Sequence, residues 1–128
     1  MAERLKIASG NQWESIVGYS RAIRVGNIIE VAGTTSMNDD QLVGEGDIYA
    51  QTTFIFNKIE KALHEAGASL DDIVRTRMYV TDISKWELVA KAHGEIFDKI
   101  RPVATMVEVS KLIDEKLLIE IEVTAIIS

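Results

Sequence analysis

Residues 101–127, RPVATMVEVSKLIDEKLLIEIEVTAII, read as two strands joined by a short polar turn. Apolar and polar residues alternate over residues 105–112, and they alternate again over residues 117–127. A period of two is typical of strands, in which successive side chains point to opposite faces of the sheet. We therefore predict a closing β-hairpin in which Glu120 and Glu122 share one face.

Glu120 is the candidate acid–base group of this hairpin, because a carboxylate on a covered sheet face is costly unless it is paired or used. In one interpretation it is a general base or a water-orienting carboxylate in a cleft between subunits. In the other it pairs with Arg75 or Arg77, which a strand predicted at residues 73–83 places on one face. The pattern by itself favours the ion pair, since structural ion-pair networks imitate functional sites.

The composition limits the classes of function. A chain of 128 residues is predicted to form a single domain, residues 1–128. The net charge of -6 disfavours nucleic acid as a partner. Cysteine is absent, and His64 and His93 lie on separate predicted helices without a ligand pattern, so neither a metal nor a cofactor is expected. No apolar run is long enough for a membrane span or a secretion signal, which leads us to expect a cytoplasmic protein.

Two helices are predicted between the strands. Asp47 is expected to cap a helix that ends near Ala66. Ser84 and Glu87 have the spacing of a capping box, and they predict a second helix to about residue 100 with Trp86 on its buried stripe. The other segments are a loop at residues 9–18 and strands at residues 4–8, 19–25 and 28–35.

This order of elements predicts an α+β fold, a mixed sheet with both helices packed on one face. The opposite face is then uncovered, and the alternation places Glu108 and Met106 on it beside the arginines and Glu120. A monomer seldom leaves such a surface to water. A closed homo-oligomer that joins sheet face to sheet face is the simplest cover.

With these residues laid out, the chain resembles the Rid family, the YjgF-like reactive-intermediate deaminases, also labelled endoribonuclease L-PSP. The resemblance runs from about Tyr19 to Ile126. It is carried by the order and spacing of GYSRAIRVGNIIEVAGTT, LHEAGASLDDIVRTRMYVTDI and VEVSKLIDEKLLIEIEVTAI. It implies a chorismate-mutase-like fold and a homotrimer whose sheets form a central barrel, with ligand clefts at the subunit boundaries.

Active members of this family hydrolyse enamines and imines to 2-oxo acids and ammonia without a metal or an organic cofactor. By position, Tyr19 matches the cleft tyrosine, Gly33 the glycine whose backbone lines the pocket, and Glu120 the carboxylate that orients water. Met106 stands where many members have cysteine, so only its backbone role transfers. Without the resemblance, the sequence favours Tyr19 as a packing residue at a strand edge over the alternative, a hydrogen-bond donor in a cleft.

One departure from the family pattern bears on activity. Deaminase-competent members read Pro-Ala-Arg-Ser where this chain has residues 102–105, PVAT, so Ala104 replaces the carboxylate-binding arginine. Arg21, where members often have glutamine, and Arg101 are the candidates for a relocated cation, although solvated surface arginine is the default interpretation of both. The expected ligand is a small carboxylate. A non-catalytic ligand-binding or interaction protein on the same trimer is the alternative, and the acidic charge disfavours the ribonuclease or translation-inhibitor label.

Overall fold

The computed structural model describes residues 3–128. The strands are β1 (Arg4–Ile7), β2 (Ala22–Val25), β3 (Ile28–Thr34), β4 (Met37–Asn38), β5 (Gln41–Leu42), β6 (Ile73–Val80), β7 (Val103–Glu108) and β8 (Ile119–Ile126). The helices are α1 (Gln12–Val17), α2 (Ile48–Glu65) and α3 (Trp86–Phe97), with 3-10 turns at Leu70–Asp72 and Ile83–Lys85. Six strands form one sheet in the order β1-β2-β3-β8-β6-β7, and β4 pairs with β5 in a small separate hairpin.

The hydrophobic core lies between one face of this sheet and the helices α2 and α3. Alternate residues of β8 are buried, as its sequence pattern predicts, and they face the apolar stripe of α2. Phe56 of α2 and Phe97 of α3 pack edge to face, with ring centroids 5.1 Å apart. The predicted α+β architecture with both long helices on one face is therefore confirmed. The largest fully buried side chains are Phe56, Ile29, Ile55, Ile59, Leu63, Leu117, Ile119 and Ile121.

The predicted closing hairpin is wrong. Strands β7 and β8 are not neighbours, because β6 lies between them, parallel to β7 and antiparallel to β8. β7 reaches its place through the β6–α3–β7 crossover, which is the usual connection between parallel strands. β7 is also shifted toward the N-terminus of its predicted range, since it covers residues 103–108 and not 105–112.

The predicted position of Met106 and Glu108 on the open face is also wrong. The register pairs Met106 with Met78 and Glu108 with Val80, both of which are buried on the helix side of the sheet. Directly paired residues project to the same face, and Met106 accordingly packs against the core. The side chain of Glu108 accepts a hydrogen bond from the backbone N–H of Ile83, 3.0 Å away.

Two local predictions differ from the structure, because in each case a side chain that was not predicted as a cap makes the capping hydrogen bond. The predicted loop at residues 9–18 contains α1, whose N-terminus is capped by the Asn11 side chain. Ser84 does not cap α3, because Asp82 accepts hydrogen bonds from its N–H and hydroxyl and holds a 3-10 turn ahead of the helix. Trp86 consequently begins the helix and is 52% exposed, not buried. The predicted Asp47 cap of α2 is confirmed by its bond to the Ala50 N–H, 3.0 Å.

Candidate functional site

Gly33 and Glu120 meet at an irregularity between two central strands. The pairing of β3 with β8 shifts between Val31 and Thr34, and Gly33 lies inside this shift. A Cβ atom on Gly33 would lie 2.1 Å from Oε2 of Glu120, well inside the van der Waals distance. The absence of a side chain at Gly33 is thus what allows the carboxylate to lie against the backbone of β3.

Glu120 is half-buried on the sheet face opposite the helices. Within residues 3–128 its carboxylate belongs to no ion pair, and Arg75 and Arg77 also belong to none. Burial raises the pKa of Glu120 above its ordinary value of 4.5, and Glu122 adds to this effect while Arg21 opposes it. The ion-pair interpretation of Glu120 therefore has no support in the described part of the chain.

Arg21 precedes β2 and is only 7% exposed. One terminal nitrogen of its guanidinium, Nη2, donates a hydrogen bond to the carbonyl of Gly33 at 2.7 Å. Its Nε–H is buried without a partner among the described residues. The guanidinium carbon lies 5.8 Å from the ring centroid of Tyr19, within the range of a cation–π contact. Arg21 thereby joins Tyr19, Gly33 and Glu120 in one cluster, which we call the Glu120 cluster.

Arg101 and Met106 lie apart from the Glu120 cluster of the same chain. Arg101 has a left-handed backbone with φ 54° and donates from Nε to the carbonyl of Asp98 at 2.8 Å. Its side chain is 77% exposed. Met106 is on β7, the outer strand at the far edge of the sheet, with β6 between it and the strand of Glu120. Ala104 is exposed on the same strand.

Lys58 and Glu14 are two members of this region that the sequence reasoning missed. Lys58 of α2 donates from Nζ to the carbonyls of Thr35, 2.9 Å, and Met37, 2.7 Å. Burial and, to a smaller extent, the Arg21 charge lower its pKa from 10.5 to about 8, while Asp39 and Glu14 act in the opposite direction. Glu14 of α1 is buried, and its carboxylate accepts hydrogen bonds from the Ser9 N–H, at 3.0 Å, and from the Ser9 hydroxyl.

A signal for Lys58 was present in the sequence. It lies three residues after Ile55 and four before Ala62, so it shares a face of α2 with two residues that are now seen to be buried. Beside this region, a cavity of about 270 Å³ opens next to Tyr19 and Glu14, and it is bounded mainly by residues 6–8, 10–12 and 15.

Neither a metal site nor a membrane helix is seen in the described residues. Across residues 3–128, no three acidic or histidine side chains are grouped so that they could hold a metal ion. His93 instead packs on Phe97 and contacts the Thr76 hydroxyl at 2.9 Å, and burial lowers its pKa. In the same range no helix is long and apolar enough to cross a bilayer.

The comparisons with known proteins establish the family. The sequence model described as endoribonuclease L-PSP matches residues 9–127. The chain belongs to this family. Among its relatives, an uncharacterized protein of Streptomyces coelicolor is 38% identical over 120 residues, which cover 94% of this chain and 90% of that protein. A RutC family protein of Pyrococcus abyssi is 38% identical over 108 residues, 84% of each chain.

Several solved structures share the fold of this chain. A Mycobacterium tuberculosis member of the YjgF/YER057c/UK114 family has a TM-score of 0.90 at 51% identity, covering 98% of this chain and 100% of that one. A Rid family protein of unknown function from Yersinia pestis has a TM-score of 0.85 at 33% identity, with coverages of 98% and 100%. The YjgF gene product of Escherichia coli has a TM-score of 0.82 at 26% identity, with coverages of 95% and 98%. The resemblance drawn from the sequence is thus confirmed at the level of family and fold.

Proposed function

We propose that the protein is a cytoplasmic homotrimer that hydrolyses a small imine or enamine carboxylate to a 2-oxo acid and ammonia in clefts between its subunits. The observation that carries this proposal is the buried Arg21 guanidinium beside the Glu120 carboxylate; within residues 3–128 the Arg21 Nε–H has no hydrogen-bond partner and Glu120 forms no ion pair. A cation and a carboxylate that form no ion pair with each other can take separate roles, the cation in binding the ligand and the carboxylate in catalysis.

The chemistry assigned to Glu120 is proton transfer. With the substrate nitrogen protonated as an iminium ion, the carboxylate accepts a proton from a water molecule as the oxygen attacks the carbon of the C=N bond, which gives a neutral carbinolamine. The same carboxyl then returns that proton to nitrogen, and the C–N bond breaks as the hydroxyl oxygen forms the C=O bond. The departing ammonia takes the hydroxyl proton and leaves as ammonium. The raised pKa of Glu120 supports both steps, because a general acid–base group is most effective when its pKa lies near the working pH.

Arg21 is assigned the ligand carboxylate in place of the arginine that Ala104 replaces. The guanidinium is held by the Gly33 carbonyl, so its position is fixed before a ligand arrives. A hydrogen bond to a charged group contributes roughly 1.5–3 kcal/mol, enough for one such contact to decide whether a small carboxylate is retained. The hydroxyl of Tyr19 supplies a further hydrogen bond to the ligand.

The trimer is proposed because the open sheet face carries charged and polar side chains without a cover. Arg77 pairs in register with Glu122 of β8 on this face. The hydroxyl of Tyr79 donates to the same Glu122. Closing three such faces would also bring the β7 edge of one copy, with Arg101 and Met106, toward the Glu120 cluster of the next. Sedimentation equilibrium is expected to give three times the mass of one chain, and a monomer that keeps full activity would exclude clefts between subunits.

The catalytic proposal is tested by ammonia release from freshly generated 2-iminopropanoate. Glu120→Gln is expected to lose at least about 100-fold in rate, because the amide cannot accept the proton. Glu87→Gln, the same change at an exposed glutamate of α3, is the control, and its rate is expected to stay within about threefold of wild type.

The other outcomes separate the rival functions. Wild-type protein that binds a small carboxylate without turnover would favour the non-catalytic binder. Ala104 already argues for that alternative, because it stands where deaminase-competent members have the carboxylate-binding arginine. RNA cleavage that survives Glu120→Gln would favour the ribonuclease. The net charge of -6 weighs against the ribonuclease, because nucleic-acid binding draws on a basic surface.

A further inference from the structure

Three backbone carbonyls on alternate residues, Gly33, Thr35 and Met37, accept hydrogen bonds from cationic side chains. Arg21 holds the first carbonyl, and Lys58 holds the other two. This segment directly follows the point where β3 runs beyond its partner β2, whose last paired position is Ala22 opposite Val31. The two cations therefore hold the chain at and after the end of β3, where β2 no longer pairs with it.

We propose that Lys58 is a positioning residue of the Glu120 cluster: its ammonium group fixes the chain after Gly33, and through it the Gly33 backbone and the Arg21 guanidinium. This inference uses the proposed function only to name the site. Lys58 reaches the segment from α2 and not from the sheet, so it ties the helix layer to the site. Because Gly33 already lies against the Glu120 carboxylate, a movement of this segment changes the position of both catalytic partners.

Holding an ammonium group in this place is costly to the fold. Lys58 is largely withdrawn from water, and Arg21 lies near enough for the two positive charges to oppose each other. The groups that face Lys58 are Arg21 before β2, Glu14 on α1 and Asp39 in the turn between β4 and β5, and neither carboxylate forms an ion pair with it. A protein that only needed the carbonyls satisfied could use a neutral donor. In the proposal, the charge of Lys58 supplies positive potential beside Arg21.

The consequence is a dependence on pH that begins near neutrality. While Lys58 is protonated, it donates to both carbonyls and adds to the positive potential at Arg21. With a pKa of about 8, it loses its proton at mildly alkaline pH. Neutral Lys58 has one donor fewer and no charge, so the segment loosens and the cleft attracts anions less strongly.

The test is the pH response of two NMR signals, the Arg21 Nε–H and the Gly33 amide, in wild type, Lys58→Arg and Lys58→Met from pH 6 to 9.5. In wild type both signals are expected to shift with an inflection near pH 8. Lys58→Arg keeps its charge over this range, so its spectra should match the low-pH wild type and show no inflection. Lys58→Met should match the high-pH form throughout. Lys61→Met, an exposed lysine one turn further along α2, is the matched control and should retain the wild-type inflection.

Unchanged Arg21 and Gly33 signals in Lys58→Met, or an inflection near pH 8 that persists in Lys58→Arg, would overturn the proposal. If Lys58→Met does not fold, Lys58→Arg still decides the question. A parallel titration with pyruvate should show affinity roughly tenfold weaker in Lys58→Met than in wild type at pH 7. Failure of the wild type to bind pyruvate would count against the proposed function, and the two NMR signals would still decide the role of Lys58.

Discussion

Gly33→Ala is expected to abolish most of the activity while leaving the fold intact. The new Cβ would lie 2.1 Å from Oε2 of Glu120 and 3.1 Å from its carboxyl carbon. An ordinary carbon–oxygen contact is about 3.3 Å, so the carboxylate must retreat by roughly 1 Å. A displacement of about 1 Å at a catalytic group can cost on the order of 100-fold in rate. We therefore expect ammonia release from 2-iminopropanoate to fall by about that factor.

The stability of Gly33→Ala should change little. The atom in collision is the end of a flexible side chain, and the backbone φ of Gly33 is not in the left-handed region, so alanine can adopt it. Losing the flexibility of glycine in the unfolded chain offsets part of the cost, by about 0.4–1 kcal/mol. The net change in the free energy of unfolding by urea should remain within about 1 kcal/mol.

Gly94→Ala is the matched control for this experiment. Gly94 lies in α3, and a Cβ there would meet no heavy atom within 4 Å. The variant should keep its activity and gain about 0.5–1 kcal/mol of stability from the better helix propensity of alanine. A Gly33→Ala protein with the wild-type rate would refute the catalytic placement of Glu120. A loss of rate accompanied by unfolding would show that the glycine serves the fold instead.

Three further predictions concern the groups around this site and the core. Arg21→Met should weaken pyruvate binding at least about tenfold in calorimetry, because it removes the buried cation, and wild-type affinity would exclude Arg21 from the cleft. Gln51→Leu should lower the free energy of unfolding by about 2–4 kcal/mol in urea, because Gln51 is fully buried and bonds three backbone groups; an unchanged midpoint would contradict this. Between pH 8 and 10.5, Lys58 binds fewer protons in the folded protein than in the unfolded chain. The free energy of unfolding of wild type should therefore rise relative to that of Lys58→Met as the pH rises through this window, by about 1–2 kcal/mol after solvent screening. A relative free energy of unfolding that falls over the same window would contradict the lowered pKa of Lys58.

The strands could be predicted from the sequence because their signal is local. In β8 the alternation of apolar and polar residues is the alternation of buried and half-buried residues in the structure. Which strand each strand pairs with cannot be read from its own residues. The alternation in β7 is the same whether it pairs with β8 in a hairpin or with β6 across α3, and only the packing of α3 on the sheet selects the second arrangement. The wrong faces of Met106 and Glu108 follow from that one error.

The residues of the candidate site could be proposed from the sequence only where the family pattern marks their positions. The family pattern identified Tyr19, Gly33 and Glu120, and the sequence offered Arg21 as a cation close to them. The bond between Arg21 and Gly33 depends on the register of the β2–β3 hairpin, which no residue type reveals. Lys58 was missed because lysine is usually exposed, and only its place on the buried face of α2 marks it as different.

Within residues 3–128 Glu120 does not pair with Arg75 or Arg77, and the strand register gives the reason. Across the β6–β8 pairing, Arg77 lies opposite Glu122, and the residue opposite Glu120 is Tyr79. The Tyr79 hydroxyl nevertheless donates to Glu122 and not to its register partner. Glu122 therefore has a hydrogen-bond partner, while Glu120, two residues away, is half-buried, lies against Gly33 and forms no ion pair in the described part of the chain. Such a carboxylate costs the fold free energy that a neutral residue would not. That cost, beside the buried Arg21 guanidinium, supports the catalytic use proposed for Glu120.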